Sequence, residues 1–183
     1  MKEPKFLSSE TIFEKKFAGK IDKELYELED GRIFDFYRRT GHDVATTLIL
    51  TEDEQCVLVK QYRYGINDFV TDICGGMIEE GEDPREAAFR EMEEETGYTC
   101  DPENFVELGF HYLNPARTRQ NRYFYLATNA RLVKEQELDD FESIEVVLEP
   151  FKSVFQKVMN NEYREPNFAL AVLKYHTMKN SEK

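Results

Sequence analysis

GGMIEEGEDPREAAFREMEEETGY, Gly75 to Tyr98, decides how the rest of the chain is read. It predicts a loop, a helix and a stop. Asp83 is placed to cap the first turn, Pro84 suits the first helical position because its missing N–H needs no partner there, and Glu86 completes a capping-box spacing. Gly97 can end the helix in a left-handed conformation. At about 100° per residue, Glu91, Glu94 and Glu95 share one arc with small Ala87 between them, while Ala88, Phe89 and Met92 occupy the next. One face is therefore acidic and the adjoining one apolar. Glu93 points away as a surface charge, and Met92 belongs to the core.

An acidic helix is in general a solvated face. This one carries a fixed pattern: Gly76, five residues, Glu82, seven residues, then Arg90, Glu91, an apolar residue, any residue, Glu94, Glu95, any residue, Gly97 and an apolar residue. It resembles the Nudix box without a departure, and a chance match is on the order of one in a million at ordinary residue usage. The chemistry explains the arrangement. Carboxylates crowded on one turn repel by a few tenths of a kcal/mol per pair, a cost that bound cations remove. Hard divalent ions take oxygen ligands, and Mg2+ in particular binds one or two carboxylates together with water and substrate phosphate oxygens. Such an ion polarises phosphorus and lowers the pKa of a bound water. The resemblance implies an α/β/α sandwich with a mixed sheet, hydrolysing a nucleoside diphosphate linked to a further group. It implies Glu91, Glu94 and Glu95 as metal ligands with the carbonyl of Gly75, the cofactor being Mg2+ or Mn2+. Arg90 orients a box glutamate, and Glu82 holds the loop against the helix.

The 183 residues suit one domain with a small appendage, and 14 Phe and 10 Tyr can fill a core. A formal charge of −13 argues against a nucleic-acid partner, because phosphate neutralisation needs clustered cations. Cys56, Cys74 and Cys100 lack zinc or disulfide spacing, so free buried thiols in a reducing compartment are expected. With no apolar signal core and no membrane-length apolar run, the expectation is a cytoplasmic protein. The three His residues show no metal-ligand spacing.

In chain order, residues 1–9 read as frayed, and strands follow over Thr11–Phe17, Lys23–Leu28 and Arg32–Arg39, the last two joined by a turn at Glu29–Gly31. This antiparallel β appendage, residues 1–42, precedes a hydrolase domain over 43–183. Chains resembling ADP-ribose and other nucleoside diphosphate sugar hydrolases carry such a sheet and pack it across a homodimer. Asp43–Thr51 and Gln55–Tyr62 read as a buried hairpin, and Phe69–Cys74 as one strand running into Gly75 and Gly76. By the same resemblance Arg63 grips the substrate diphosphate. Tyr62 or Tyr64 stacks on a base or packs in the core. Asp72 stands where a Glu is common in that subfamily. After the box, Glu107–Leu113 and Arg122–Thr128 are strands, joined by a loop with Pro115, whose place resembles that of ADP-ribose hydrolases. Arg117 and Arg119 in that loop are candidates for a terminal phosphate or sugar. The polar run 134–142 resembles a loop supplying a further carboxylate as metal ligand or general base, with Glu142 the first match and Asp140 the second. Ile144–Val147 is a strand. Pro150–Met159 is a helix with Phe151, Val154, Phe155 and Val158 at core spacing, and Phe168–His176 is another.

The reading is hydrolysis of a nucleoside diphosphate sugar, ADP-ribose first, to AMP and ribose 5-phosphate. GDP-mannose hydrolysis and nucleoside triphosphate pyrophosphohydrolysis are the enzyme alternatives, and a nucleotide-binding sensor is the alternative without turnover. The intact box argues against the sensor.

Overall fold

Apolar residues fill both faces of the two central strands, and their alternation sorts them between two cores. The computed structural model describes residues 2–15, 19–139 and 142–181. Its elements are β1 (Lys5–Lys15), β2 (Gly19–Glu27), β3 (Ile33–Thr40), β4 (Val44–Thr51), β5 (Gln55–Arg63), β6 (Asp68–Asp72), β7 (Cys74–Met77) and α1 (Pro84–Thr96). They continue with β8 (Tyr98–Thr99), β9 (Phe105–Tyr112), β10 (Asn121–Leu132), β11 (Ile144–Pro150), α2 (Phe151–Met159) and α3 (Pro166–Ser181). The larger sheet has the order β11-β5-β4-β10-β8, with β6 on β5, β7 on β4 and β9 on β10. Neighbours along a strand point to opposite faces. Ala45, Ile49, Val57, Val59 and Tyr125 therefore meet Ala87, Ala88 and Met92 of α1 on one side. Leu48, Leu50, Leu58, Phe124 and Leu126 meet Phe151, Val154 and Val158 of α2 and Phe168, Ala171 and Val172 of α3 on the other. This is the expected α/β/α sandwich, with each fully buried Leu, Val or Phe contributing about 1.5–3 kcal/mol. Cys56, Cys74 and Cys100 are buried free thiols.

The strand expected over Phe69–Cys74 is two strands. Asp72 Oδ1 accepts the Ile73 N–H at 2.8 Å, which interrupts the ladder between β6 and β7. Besides β10, β4 serves two partners in consequence, pairing Ile49 and Leu50 with β5 and Val44–Thr47 with β7. This sets Gly75 opposite Thr46. Gly75 has φ +145°, and a Cβ there would lie 2.2 Å from the Ala45 carbonyl oxygen, so only glycine fits. The two-residue β8 and a short 3-10 turn at Pro102–Asn104 carry no expectation from sequence.

The chain divides into two compact units, Met1–Asp43 with His111–Arg122, and Val44–Phe110 with Tyr123–Lys183. In the first, β1, β2 and β3 form the expected antiparallel sheet. Its first strand starts at Lys5 rather than after residue 9, because Lys5 pairs with Glu27 and Phe6 with Tyr26. Polar groups hold its interior: Glu24, 4% exposed, takes a two-pronged Arg38 fork at 2.9 and 2.7 Å and a Tyr26 hydroxyl at 2.7 Å. The 111–122 segment belongs here through the Arg39 N–H to the Arg117 carbonyl at 2.9 Å, and through both Asn121 N–H groups on Asp43 at 2.8 and 3.0 Å. Phe6, Ile12, Phe13, Ile33, Phe34 and Tyr37 remain exposed on this sheet. No helix among the described residues is long and apolar enough to cross a membrane.

Candidate active site

Helix α1 begins and ends as its sequence predicts. Asp83 accepts the Arg85 N–H at 2.8 Å, Pro84 opens the helix, and Gly97 closes it at φ 73° with its N–H on the Glu93 carbonyl at 2.9 Å. Ala87, Ala88 and Met92 are buried against the sheet. That docking fixes the rotation of the helix and so the direction of its carboxylates.

Arg90 organises the acidic face. Its Nε and Nη2 fork onto the two oxygens of Glu82 at 2.9 and 3.0 Å, and its Nη1 donates to Glu91 and Glu94, each at 2.9 Å. Nη2 also reaches the Met77 carbonyl at 3.3 Å. Glu82 in turn accepts the Glu79 N–H at 2.9 Å, which ties the loop to the helix. The Arg90 fork holds the Glu82 carboxyl below its ordinary value, burial and the other contacts being smaller effects. Loop and helix also meet at Gly76, where a Cβ would sit 2.4 Å from the Glu91 carboxylate. Burial raises the Glu91 pKa despite Arg90.

Glu95 departs from expectation. The helical wheel puts it on an exposed acidic face, yet it is 4% exposed and turns under the loop to accept the Gly75 N–H at 2.8 Å. Burial pushes its carboxyl up to about 8; the Gly75 N–H opposes this, Glu91 and Glu142 add to it, and Arg63 opposes it. Glu93 is half-buried rather than a free surface charge.

The charge of Glu142 is among the smaller influences that raise Glu91 and Glu95, behind burial. Its own oxygen accepts the Asp139 N–H at 3.2 Å. Asp140 lies outside the described residues. Arg63 is half-exposed and ion-pairs with buried Asp72 at 3.7 Å. Tyr62 is not in the core. It meets Tyr64 and Phe69 edge-on at 5.2 and 5.5 Å in a largely exposed ring cluster. Arg117 lies over the Phe36 ring at 6.0 Å, and the charge of Arg119, behind Arg38, helps to lower Glu24; both arginines belong to the first unit.

Gln136 is a contact that sequence reasoning missed. Its side-chain amide donates to the Glu95 carbonyl at 2.6 Å and to the Ile144 carbonyl at 3.2 Å. A lone Gln in a polar run gives no signal for this. An open cavity of ≈ 580 Å³ runs along Arg85, Phe89, Arg90, Glu94 and Lys134 beside the acidic face, and another of ≈ 600 Å³ lies along Arg63, Phe69, Tyr163 and Arg164.

The donors fit a hard divalent cation, since Glu91, Glu94, Glu95 and the Gly75 carbonyl offer only oxygen. Among the described residues no three His, Cys, Asp or Glu side chains converge into a ready-made ion site. Arg90 Nη1 donates to both Glu91 and Glu94, and Glu95 is turned to the Gly75 N–H.

Comparison with known proteins agrees with this geometry. The NUDIX domain model matches residues 41–169. An ADP-ribose pyrophosphatase of Bacillus subtilis (strain 168) is 28% identical over 92% of each chain. A methanol dehydrogenase activator of Bacillus methanolicus is 35% identical over 54% of this chain and 53% of its own. In three dimensions, an ADP compounds hydrolase superposes with a TM-score of 0.84 over 100% of this chain and 97% of the other at 18% identity, a likeness of fold. With the family model spanning most of the chain and the box assembled in space, the protein belongs to the NUDIX domain family and is a Nudix hydrolase.

Proposed function

We propose that the protein hydrolyses the diphosphate of a nucleoside diphosphate sugar, ADP-ribose first, giving AMP and ribose 5-phosphate with Mg2+ or Mn2+ as cofactor. The observation that carries this reading is the carboxylate face of α1, where Arg90 holds Glu91 and Glu94, Glu91 lies against Gly76, and Glu95 turns under the loop to the Gly75 N–H. The substrate class is supported by the ADP-ribose pyrophosphatase that matches along nearly the whole of both chains. In this proposal Glu91, Glu94, Glu95 and the Gly75 carbonyl hold the cation, which when bound screens the scissile diphosphate and activates water. Arg90 keeps Glu91 and Glu94 in position. Glu142, or Asp140 in its place, accepts the proton of the attacking water. Arg63 forks onto diphosphate oxygens, which a Lys could not do with two parallel bonds. Tyr62 offers a ring to the base, and Arg117 and Arg119 offer charge to a distal sugar or phosphate.

The exposed apolar side chains of the first sheet, Phe6, Phe13, Ile33 and Phe34 among them, support a homodimer built through residues 1–42. A cytoplasmic setting, in which Cys56, Cys74 and Cys100 stay reduced, belongs to the same proposal. Sedimentation of the intact chain as a dimer is expected, and a chain that stays monomeric at high concentration removes the dimer.

A turnover panel of ADP-ribose, GDP-mannose and nucleoside triphosphates, with Mg2+ and with Mn2+ and with products weighed, tests the substrate. AMP plus ribose 5-phosphate is expected to form fastest. GMP plus mannose 1-phosphate at a much higher rate moves the assignment to that sugar nucleotide. Pyrophosphate released fastest from a triphosphate overturns the diphosphate-sugar reading.

A further inference from the structure

The loop that carries Glu142 leaves the sheet after β10 and returns at β11, and its first residues are held to α1. At its start, the Glu137 N–H donates to the Glu94 carbonyl at 2.8 Å and Leu138 packs against the core beneath α1. The last carbonyls of a helix have no partner within it. Here the Val133 and Lys134 N–H groups take the Gly97 carbonyl, the Glu137 N–H takes that of Glu94, and the Gln136 side chain takes that of Glu95. The second N–H of the same Gln136 amide reaches the Ile144 carbonyl, at the first residue of β11. One side chain, early in the loop, thus ties the first residue of β11 to the backbone of Glu95.

We propose that Gln136 is a positioning residue for catalysis: it clamps the loop across its base so that Glu142 is presented to the carboxylates of α1. This rests on the reading of Glu142 given above. A polar amide is suited to the task because both contacts are carbonyl oxygens, which accept only from a donor, and an amide nitrogen carries two N–H groups at a fixed angle. A misplacement of about 1 Å in a reacting group can cost about a hundredfold in rate, so loosening the clamp should act on kcat.

The test is a double-mutant cycle with Gln136→Met, which keeps length and volume but cannot donate, and Glu142→Gln. It is run with ADP-ribose, or with whichever compound of the panel is turned over fastest. Gln136→Met is expected to lower kcat about tenfold with KM within about twofold, and to cost less than about twofold when Glu142 is already Gln. A second readout needs neither substrate nor metal. Amide hydrogen exchange at Glu137 and Glu142 should quicken in Gln136→Met while that of α2 is unchanged. A tenfold loss that persists undiminished in the Glu142→Gln background overturns the positioning role, as does unchanged exchange or full activity in Gln136→Met. Full activity in Glu142→Gln alone removes the reading of Glu142 and the clamp with it, and separates that failure from the others. If Gln136→Met melts below the assay temperature, Gln136→Glu, which has the same length and also lacks the donors, is put through the same cycle.

Discussion

Glu95 and Glu149 are both buried carboxylates, 4% and 8% exposed, on opposite sides of one sheet, and the fold treats them in opposite ways. Glu149 is fully partnered. Lys157 lies 2.8 Å from one oxygen, and the hydroxyls of Ser153 and Tyr163 donate at 2.5 Å each. Burial raises its pKa, but Lys157, Ser153 and Tyr163 together outweigh burial and hold it below the ordinary value. Glu95 receives one backbone N–H, and among the described residues no Lys or Arg ion-pairs with it. A buried charge with a built-in cation is finished as it stands; one beside further carboxylates and lacking a cation is a site that a ligand completes. The difference is what the proposed function builds on: a finished ion pair on one side of the sheet and an uncompensated carboxylate on the other.

Substitutions can break or sharpen that contrast. The largest effect is expected from Glu95→Gln, which keeps an acceptor for the Gly75 N–H but cannot become the carboxylate a cation would bind: kcat should fall about a thousandfold, about 4 kcal/mol of barrier, while the metal-free protein melts at an equal or higher temperature. A near-normal rate would remove Glu95 from the site. Next comes Gly76→Ala. The added Cβ meets the end of a flexible Glu91 side chain rather than backbone, so turnover should drop about a hundredfold with little change in melting temperature, whereas Gly75→Ala, against the Ala45 carbonyl, should lose the fold itself. Arg90→Lys keeps the charge without the fork on Glu82 and should slow turnover about tenfold. Smallest in activity is Glu149→Gln: kcat within about twofold, but a loss of about 1–2 kcal/mol in urea denaturation at pH 7. The sign of its pH dependence follows from a lowered folded-state pKa. The stabilisation is present in full above the unfolded value of about 4.3 and disappears as pH falls through the folded value, so the gap between the two proteins should close in acid. A gap that widens in acid would mean that Glu149 is not held as the ion pair seen here.

The same two carboxylates mark what was legible in the sequence. The caps of α1, its fixed Gly, Arg and Glu spacing and its apolar stripe are local, so Asp83, Gly97, Arg90 and Met92 could be read in place. The hairpin of β4 and β5 and the core spacing of Phe151, Val154 and Val158 were legible for the same reason. The burial of Glu95 was not, because a wheel gives direction but not depth, and the loop that covers it arrives from β7. The break at Ile73 depends on one side-chain bond from Asp72, and the start of β1 depends on pairing with residues about twenty positions away. Gln136 and Glu149 depend on partners brought in by the tertiary fold, which composition does not reveal.

If the carboxylate face of α1 takes a cation and the Glu149 cluster does not, the two must answer added metal differently. Thermal melts of the wild type, Glu95→Gln and Glu149→Gln, each with and without millimolar MnCl2 and with no substrate present, test it most directly. An ion that binds the folded state at a hundred times its Kd adds about 2.7 kcal/mol, a shift of several degrees for a domain of this size. Mn2+ is expected to raise the melting temperature of the wild type and of Glu149→Gln equally and to leave Glu95→Gln nearly unmoved. An equal metal-induced rise in Glu95→Gln would contradict it.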